Sequence, residues 1–588
     1  SLRACAGEYR DAVELAEYTI NNQKDYILEE LYKRKPDVLC FSCYIWNIDY
    51  VTDIAREYKK LCPSVPIWVG GPEVSYEVEA FLRENPYIDG VMIGEGEDTF
   101  RELCGYYAHK RKLSDIAGIA FRKNSTGNST SVNNIGGNKA GEIVFTSPRP
   151  IKNMSEIPFC YDTLDDFSNR IIYYESSRGC PFSCSYCLSS VDKTLRFRDT
   201  EIVKRELKFF IDQKVPQIKF VDRTFNCNHA HAMELWRFIK ANDNGVTNFH
   251  FEISADLLNQ EELELISDMR PGLIQLEIGV QSTNEVTIKE IHRTMKLERL
   301  KEVVKLIQSG NNIHEHLDLI AGLPYEDYDS FGRSFDEIYE LKPNQLQLGF
   351  LKVLKGSYMF EHAAEYGIVY HDKPPYEVMS TKWLSFDDVI KIKRVEDMLE
   401  VYYNSGQFEI TMKLMECIFD SAFEFFQELG DFYEANGYFG MSHSRIRRCE
   451  ILLEFLALYL HGCDNDAMTS VVLSENAGDR DNTDFDENAI DRDNTDFDEN
   501  AQIYSMIQES LIFDLYYREN CKSRPRWATD IGKFKHMTHA YCKNGKLSHV
   551  EPFHYIFPDK HTRKLDELPK YHKEPVWALF HYDMRDPL

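Results

Sequence analysis

From Ile171 to Lys352 the chain reads as β-rich runs separated by helical stretches, and this alternation limits the fold more than any other feature. The runs are Ile171–Ser176, Gln217–Val221, Asn248–Ser254, Leu273–Val280, His316–Ile320 and Gln345–Lys352. Helical periodicity fills the gaps, for example at Glu201–Gln213 and Lys296–Gln308. About six strand–helix units in series predict a whole or partial (β/α) barrel. Chemistry in such barrels sits on loops at the C-terminal ends of the strands. The loop after the first run contains Ser177-Arg178-Gly179-Cys180-Pro181-Phe182-Ser183-Cys184-Ser185-Tyr186-Cys187.

The spacing C-x₃-C-x₂-C puts three thiolates on one tight loop. Three thiolates can hold three irons of a 4Fe–4S cube and leave the fourth iron open for chemistry. A zinc site is the alternative, and it would need a fourth Cys or His. Cys227 and His229 are the nearest candidates.

Residues 1–120 show a second alternation. Asp37–Ser42, Val65–Val69 and Gly90–Ile93 read as strands, with helices expected at Ile48–Leu61, Ser75–Glu84 and Thr99–Lys112. This pattern predicts an open parallel sheet whose ligands bind beyond the carboxyl ends of its strands. Those ends carry Ser42, Gly70-Gly71 and Gly94-Glu95-Gly96-Glu97-Asp98, small or acidic residues that let a bulky ligand approach. An Asn/Ser/Thr/Gly-rich stretch, 124–142, reads as a hairpin tip or insertion, and Pro148–Pro158 as a linker.

Beyond about residue 375, long helical stretches dominate: Phe386–Tyr403, Ile410–Asn436 and Ser444–Leu460. Their aromatic stripes read as core. Asp479–Ala489 recurs almost unchanged as Asp491–Ala501, each copy with five acids and one Arg. The run lacks the Gly of a calcium loop and reads as a disordered acidic segment over 475–502. A strand-rich closing element is expected around Pro552–Phe557. The expected domains are therefore 1–150, 165–370 and 371–588.

A net charge of −28 disfavours nucleic acid as a partner. No apolar run has transmembrane length, so no membrane is expected. Fifteen cysteines, an odd number in a long chain, fit a reducing cytoplasm rather than a disulfide framework. The chain opens at Ser1 without Met, which suggests an N-terminal truncation.

With these motifs aligned, the chain resembles the radical S-adenosylmethionine (SAM) superfamily, in the branch with an N-terminal cobalamin-binding domain. Its C-terminal third resembles a domain of unknown function appended to such proteins. The resemblance implies α/β architecture: an N-terminal Rossmann-like parallel sheet, a central partial (β/α)₆ barrel and a mostly helical C-terminal domain. It implies that Cys180, Cys184 and Cys187 bind the 4Fe–4S cluster, and that Tyr186, Asp222, Glu252 and Gln281 contact SAM. Asp222, Glu252 and Gln281 could instead be structural salt bridges or caps. Ser42, Gly70, Gly71, Glu95 and Gly96 would line the cobalamin, although Tyr44 stands where the family has Leu. A Rossmann-like domain without cofactor is the alternative. The family's Asp-x-His-x-x-Gly motif does not occur.

The implied chemistry is reductive cleavage of SAM to methionine and a 5′-deoxyadenosyl radical, fed by a low-potential donor such as flavodoxin or ferredoxin. C-methylation of an unknown substrate is the expected outcome, with no catalytic side chain assigned. Cyclisation, rearrangement or methylthiolation, and a non-catalytic metal-binding scaffold, are the alternatives.

Overall fold

The computed structural model describes residues 1–123, 142–461, 499–518 and 548–582, except 162, 165, 166, 168, 169, 559–561, 563 and 566, together with a few isolated positions between 521 and 531. Most of the expected hairpin tip (124–141) and of the acidic repeat (to 498) lies outside the described residues. Residues 499–502, expected within the disordered repeat, instead open the helix Glu499–Arg518. Compactness divides the chain into two units: Ser1–Tyr328 with Gly349–Phe386, and Asp329–Leu348 with Asp387–Leu588.

The first unit begins with a five-stranded sheet, β1 Leu39–Ser42, β2 Ile67–Gly70, β3 Gly90–Met92, β4 Ile119–Arg122 and β5 Ile143–Phe145, in that order. The expected helix Ile48–Leu61 forms over that whole span and buries Ile48, Val51, Ile54, Ala55 and Tyr58, a run at helical spacing. Along β2, Ile67 and Val69 face that helix while Trp68 faces the opposite core with Phe100 and Leu103. The expectation of a parallel sheet holds for β1–β3 and needs correcting beyond them: β4 and β5 run antiparallel. Gly118, at φ +75°, accepts the Ile93 N–H at 2.8 Å, so the chain re-enters at the end of β3 and must run back down it.

The second sheet takes its strands in chain order: β6 Ile172–Tyr174, β7 Gln217–Phe220, β8 Asn248–Ile253, β9 Ile274–Gln281, β10 His314–Ala321 and β11 Gln345–Phe350. The pairings from β6 through β10 are parallel and the sheet stays open, which makes a partial barrel. One face is apolar. Phe220, Phe225, Trp236 and Phe251 are fully buried, with Phe251 at 4.3 Å ring separation from Phe225 and edge-on to Trp236 of the helix His229–Ala241. The other face is polar and carries Lys219, His250, Glu252, Glu277, His316 and Asp318.

In the second unit, helices Phe386–Leu399, Glu409–Ile418, Ala422–Ala435, Arg445–His461 and Glu499–Arg518 precede a hairpin, Ser548–Tyr555 with Tyr571–His581. The expected single stretch Ile410–Asn436 is two helices, because the Ser421 hydroxyl accepts the Glu424 N–H and starts a new one. Phe331 and Phe335 of Tyr328–Tyr339 pack on Phe423, so the aromatic stripe is core as expected.

Phe251→Ala should cost about 3–5 kcal/mol of stability, the penalty of deleting a fully buried aromatic ring. A urea titration of the full chain, followed by tryptophan fluorescence, checks this through the shift in the unfolding midpoint.

Candidate functional site

The cysteine loop is braced at both ends. Ser177–Arg178 pairs antiparallel with Arg196–Phe197 and pinches residues 179–195 into a closed loop. Gly179 sits at φ +92°, and a Cβ there would meet Thr194 O at 2.6 Å, so the loop needs glycine. Inside the loop, Cys180 N–H donates to Asp192 O at 3.3 Å, and the Ser190 hydroxyl donates to Cys187 O at 2.6 Å. Outside it, Ser185 N–H donates to Ile291 O and Met359 N–H to Ser185 O, both at 2.9 Å.

Cys180, Cys184 and Cys187 are free thiols. Burial raises the Cys180 pKa, and negative charge at Cys187 and Cys184 adds to the rise; among the described residues no three His, Cys, Asp or Glu side chains already stand together as a metal-holding group. Of the two candidate fourth ligands, His229 is turned away onto Glu262, at 2.9 Å. Cys227 lies close enough to Cys180 for their charges to interact.

Sequence reasoning missed Arg293. Its guanidinium stands 3.9 Å from Cys184 Sγ, donates to the Tyr186 hydroxyl at 3.3 Å, and donates to Gly279 O. It thereby ties the cysteine loop and Tyr186 to the end of β9. A cationic N–H donor beside a thiolate is what an iron–sulfur cluster's outer shell requires. No local pattern in the sequence marks it.

Gln281 ends β9 at φ +77°, beside a register shift against β10, and its Oε1 is buried without a hydrogen-bond partner. A strained residue with an unpaired polar atom at a strand end is suited to receive a ligand donor. Glu252 lies on β8, paired with Glu277 of β9. Burial pushes its carboxyl up to about 7, with Arg223 opposing and Glu277 reinforcing the shift.

Asp222 corrects the sequence expectation. It is fully buried, and it accepts the Ser176 N–H at 2.9 Å, the Ser176 hydroxyl at 2.7 Å and the Ser177 hydroxyl at 2.5 Å. Burial still pushes it up to about 6, and the neighbouring His231, down to about 4, is neutral at pH 7. Asp222 therefore supports the root of the cysteine loop from below, with no oxygen left for SAM.

The cobalamin residues separate in the same way. Ser42 is exposed at the end of β1. Gly70 is buried as the last residue of β2 and accepts the Cys43 N–H at 2.7 Å. A Cβ on Gly71, at φ +115°, would stand 2.4 Å from Cys43 O, so this glycine serves the close approach of two loops. Gly96 packs against Leu2, 3.0 Å from where its Cβ would lie. Glu95 is corrected: Oε1 meets Arg196 at 2.6 Å and Arg178 at 3.2 Å, and Oε2 accepts the Lys152 N–H at 3.1 Å. Both oxygens of its carboxylate are therefore engaged by the protein itself. What faces outward at this edge is Ser42, Gly94 with open space at its Cβ position, and a stacked aromatic pair, Tyr44 and Trp46, 4.5 Å apart. Small residues and a flat aromatic platform suit a large planar ring such as a corrin.

Comparison with known proteins matches three segments of the chain. Residues 1–104 match the B12 binding domain, 174–338 the radical SAM superfamily, and 364–584 a protein of unknown function, DUF4080. The family models thus find a B12 binding domain, a radical SAM domain and a DUF4080 domain in succession along the chain. Its cofactors are accordingly a 4Fe–4S cluster, SAM and cobalamin. It is 28% identical to the cobalamin-dependent radical SAM methyltransferase TokK of Streptomyces tokunonensis, over 52% of this chain and 45% of that protein. It is 24% identical to the uncharacterized methyltransferase PH0819 of Pyrococcus horikoshii, over 61% and 75%. An anaerobic magnesium-protoporphyrin IX monomethyl ester cyclase of Rubrivivax gelatinosus is 22% identical, over 58% and 60%. The chain thus spans about half the length of TokK. The fold is shared with the cobalamin-dependent SAM radical enzyme OxsB, TM-score 0.54 at 15% identity, over 90% of this chain and 80% of that one. It is also shared with the radical SAM methyltransferase TsrM from Kitasatospora setae, TM-score 0.51 at 15% identity, over 64% and 76%.

Deeper on the polar face, Glu277 accepts from Lys219 at 2.9 Å and lies 3.0 Å from His250. The His250 contact and Lys219 outweigh burial and hold Glu277 at about 2, below its ordinary 4.5. Its ionised form therefore stabilises the fold above pH 4.5, and this contribution is lost as pH falls towards 2. Glu277→Gln should flatten the acid side of the stability profile in that window, measured by urea unfolding at stepped pH.

Proposed function

We propose that this protein is a cobalamin-dependent radical SAM methyltransferase that C-methylates a substrate whose identity is open. The observation that carries the reading is the braced loop that bears Cys180, Cys184 and Cys187, with Cys184 beside Arg293 and the β9 end, in a chain whose N-terminal domain matches the B12 binding model. When bound, the cluster supplies the electron for SAM cleavage and cobalamin supplies a methyl carrier.

The protein's own residues provide position and environment. The three thiols hold the cluster and Arg293 donates N–H groups toward the Cys184 sulfur. Gln281 and Glu252 receive the polar groups of SAM, and Ser42, Gly94, Tyr44 and Trp46 form the cobalamin edge. The apolar layer behind the sheet, from Phe220 to Phe251, keeps water away from the strand ends and fixes the backbone there. A low-potential flavodoxin or ferredoxin is the partner this chemistry needs, and a reducing cytoplasm its setting. Among the described residues no helix is long and apolar enough to cross a membrane. Similarity to the anaerobic cyclases favours a second reading, in which the same site drives a cyclisation.

Anaerobic reconstitution with iron and sulfide should give a brown protein that converts SAM to 5′-deoxyadenosine and methionine under a strong reductant. Cys184→Ala should lose the iron–sulfur absorbance and SAM cleavage, yet retain hydroxocobalamin with unchanged affinity. A wild-type protein that takes up zinc and leaves SAM intact would overturn the reading. Label from methyl-labelled SAM appearing in a product separates methyl transfer from cyclisation.

A further inference from the structure

We propose that Arg178 is a positioning residue that locks the cysteine loop to the N-terminal domain, so that the geometry of the three thiols is set from outside the barrel. The proposal deepens the function given above and rests on it. Arg178 lies immediately before Gly179, whose left-handed backbone turns the chain into Cys180. Its guanidinium meets three carboxylates. Glu175 is local, with Nε at 2.9 Å and Nη2 at 2.7 Å from its two oxygens. Glu97, at 2.9 Å, and Glu95, at 3.2 Å, come from the loop and helix start that follow β3 in the N-terminal sheet.

A second tie repeats the pattern. Arg196 pairs with Arg178 across the two-residue ladder that closes the loop. It meets the same Glu95 at 2.6 Å and Asp192 at 2.9 Å, and Asp192 O in turn accepts the Cys180 N–H. Both strands of the ladder are thus pinned by one acidic segment of the other domain. The Glu97 side chain is only 6% exposed and its Oε2 has no hydrogen-bond partner, so Arg178 is the cation that faces this buried carboxyl group. The planar fork of Arg can serve three carboxylates at once, whereas Lys offers a single compact charge.

The test uses the full chain, purified anaerobically without cluster, as Arg178→Lys and Glu97→Gln. Alkylation by iodoacetamide is quantified cysteine by cysteine by mass spectrometry. Both variants should alkylate Cys180, Cys184 and Cys187 several-fold faster than wild type. Cys43 and Cys449, buried elsewhere, should stay protected and thus report that the variants are folded. After reconstitution, the variants should release the cluster on the order of tenfold more readily to a chelator, the scale seen when outer-shell partners of metal ligands are removed. Their electron paramagnetic resonance spectrum should broaden, and hydroxocobalamin affinity should fall. Should Arg178→Lys fail to fold, the isosteric Glu97→Gln decides. Wild-type alkylation rates and an unchanged spectrum in a folded variant overturn the proposal. The alkylation arm needs neither SAM nor substrate, so its failure is distinguishable from failure of the functional reading.

Discussion

Asp222 is a carboxylate wholly removed from water, and such a group is tolerated only where protein donors replace the water it lost. Three do: one backbone N–H and two hydroxyls, all from Ser176 and Ser177. This joins the end of β7 to the root of the cysteine loop across the parallel pair β6–β7. The thiols project from that root, the two-residue ladder grows from it, and Arg178 is the next residue along. His231 closes the network at 3.0 Å from the Ser176 hydroxyl, and its neutrality at pH 7 spares the pocket a second buried charge.

The sheet is two-sided in a way that assigns work. Side chains alternate strictly along β9, with Ile274, Leu276, Ile278 and Val280 towards the helices and Gln275, Glu277, Gly279 and Gln281 on the opposite face. The first set supplies stability. The second carries ion pairs at mid-strand and an orphaned acceptor at the strand end. Polar groups satisfied by one another stiffen the wall, while those left over are where a ligand has something to contribute.

Local patterns were legible in the sequence, and distant pairings were not. Helix Ile48–Leu61 could be read because its buried positions recur at the helical period. The cysteine loop could be read because its cysteines are neighbours in the chain, and β7–β11 because apolar residues recur at alternate positions along them. Asp222 could not be placed, since nothing local says that its oxygens meet serines 45 and 46 residues earlier. Glu95 looked like a strand-end ligand because its partner Arg196 is 101 residues away. Arg293 lies 109 residues from Cys184 and belongs to no motif. The break at Ser421 shows the remaining failure: one capping hydroxyl outweighed an otherwise continuous helical pattern.

Helix Tyr328–Tyr339 is encoded between two strands of the barrel, yet its Phe331 and Phe335 find their partner, Phe423, some ninety positions later in the chain. A growing polypeptide therefore emerges with this apolar stripe bare and must hold it unsatisfied until the C-terminal helices arrive. The region of unknown function is in this sense interleaved with the barrel rather than appended to it. Any account of how the helix Tyr328–Tyr339 reaches its final packing has to include the last third of the chain.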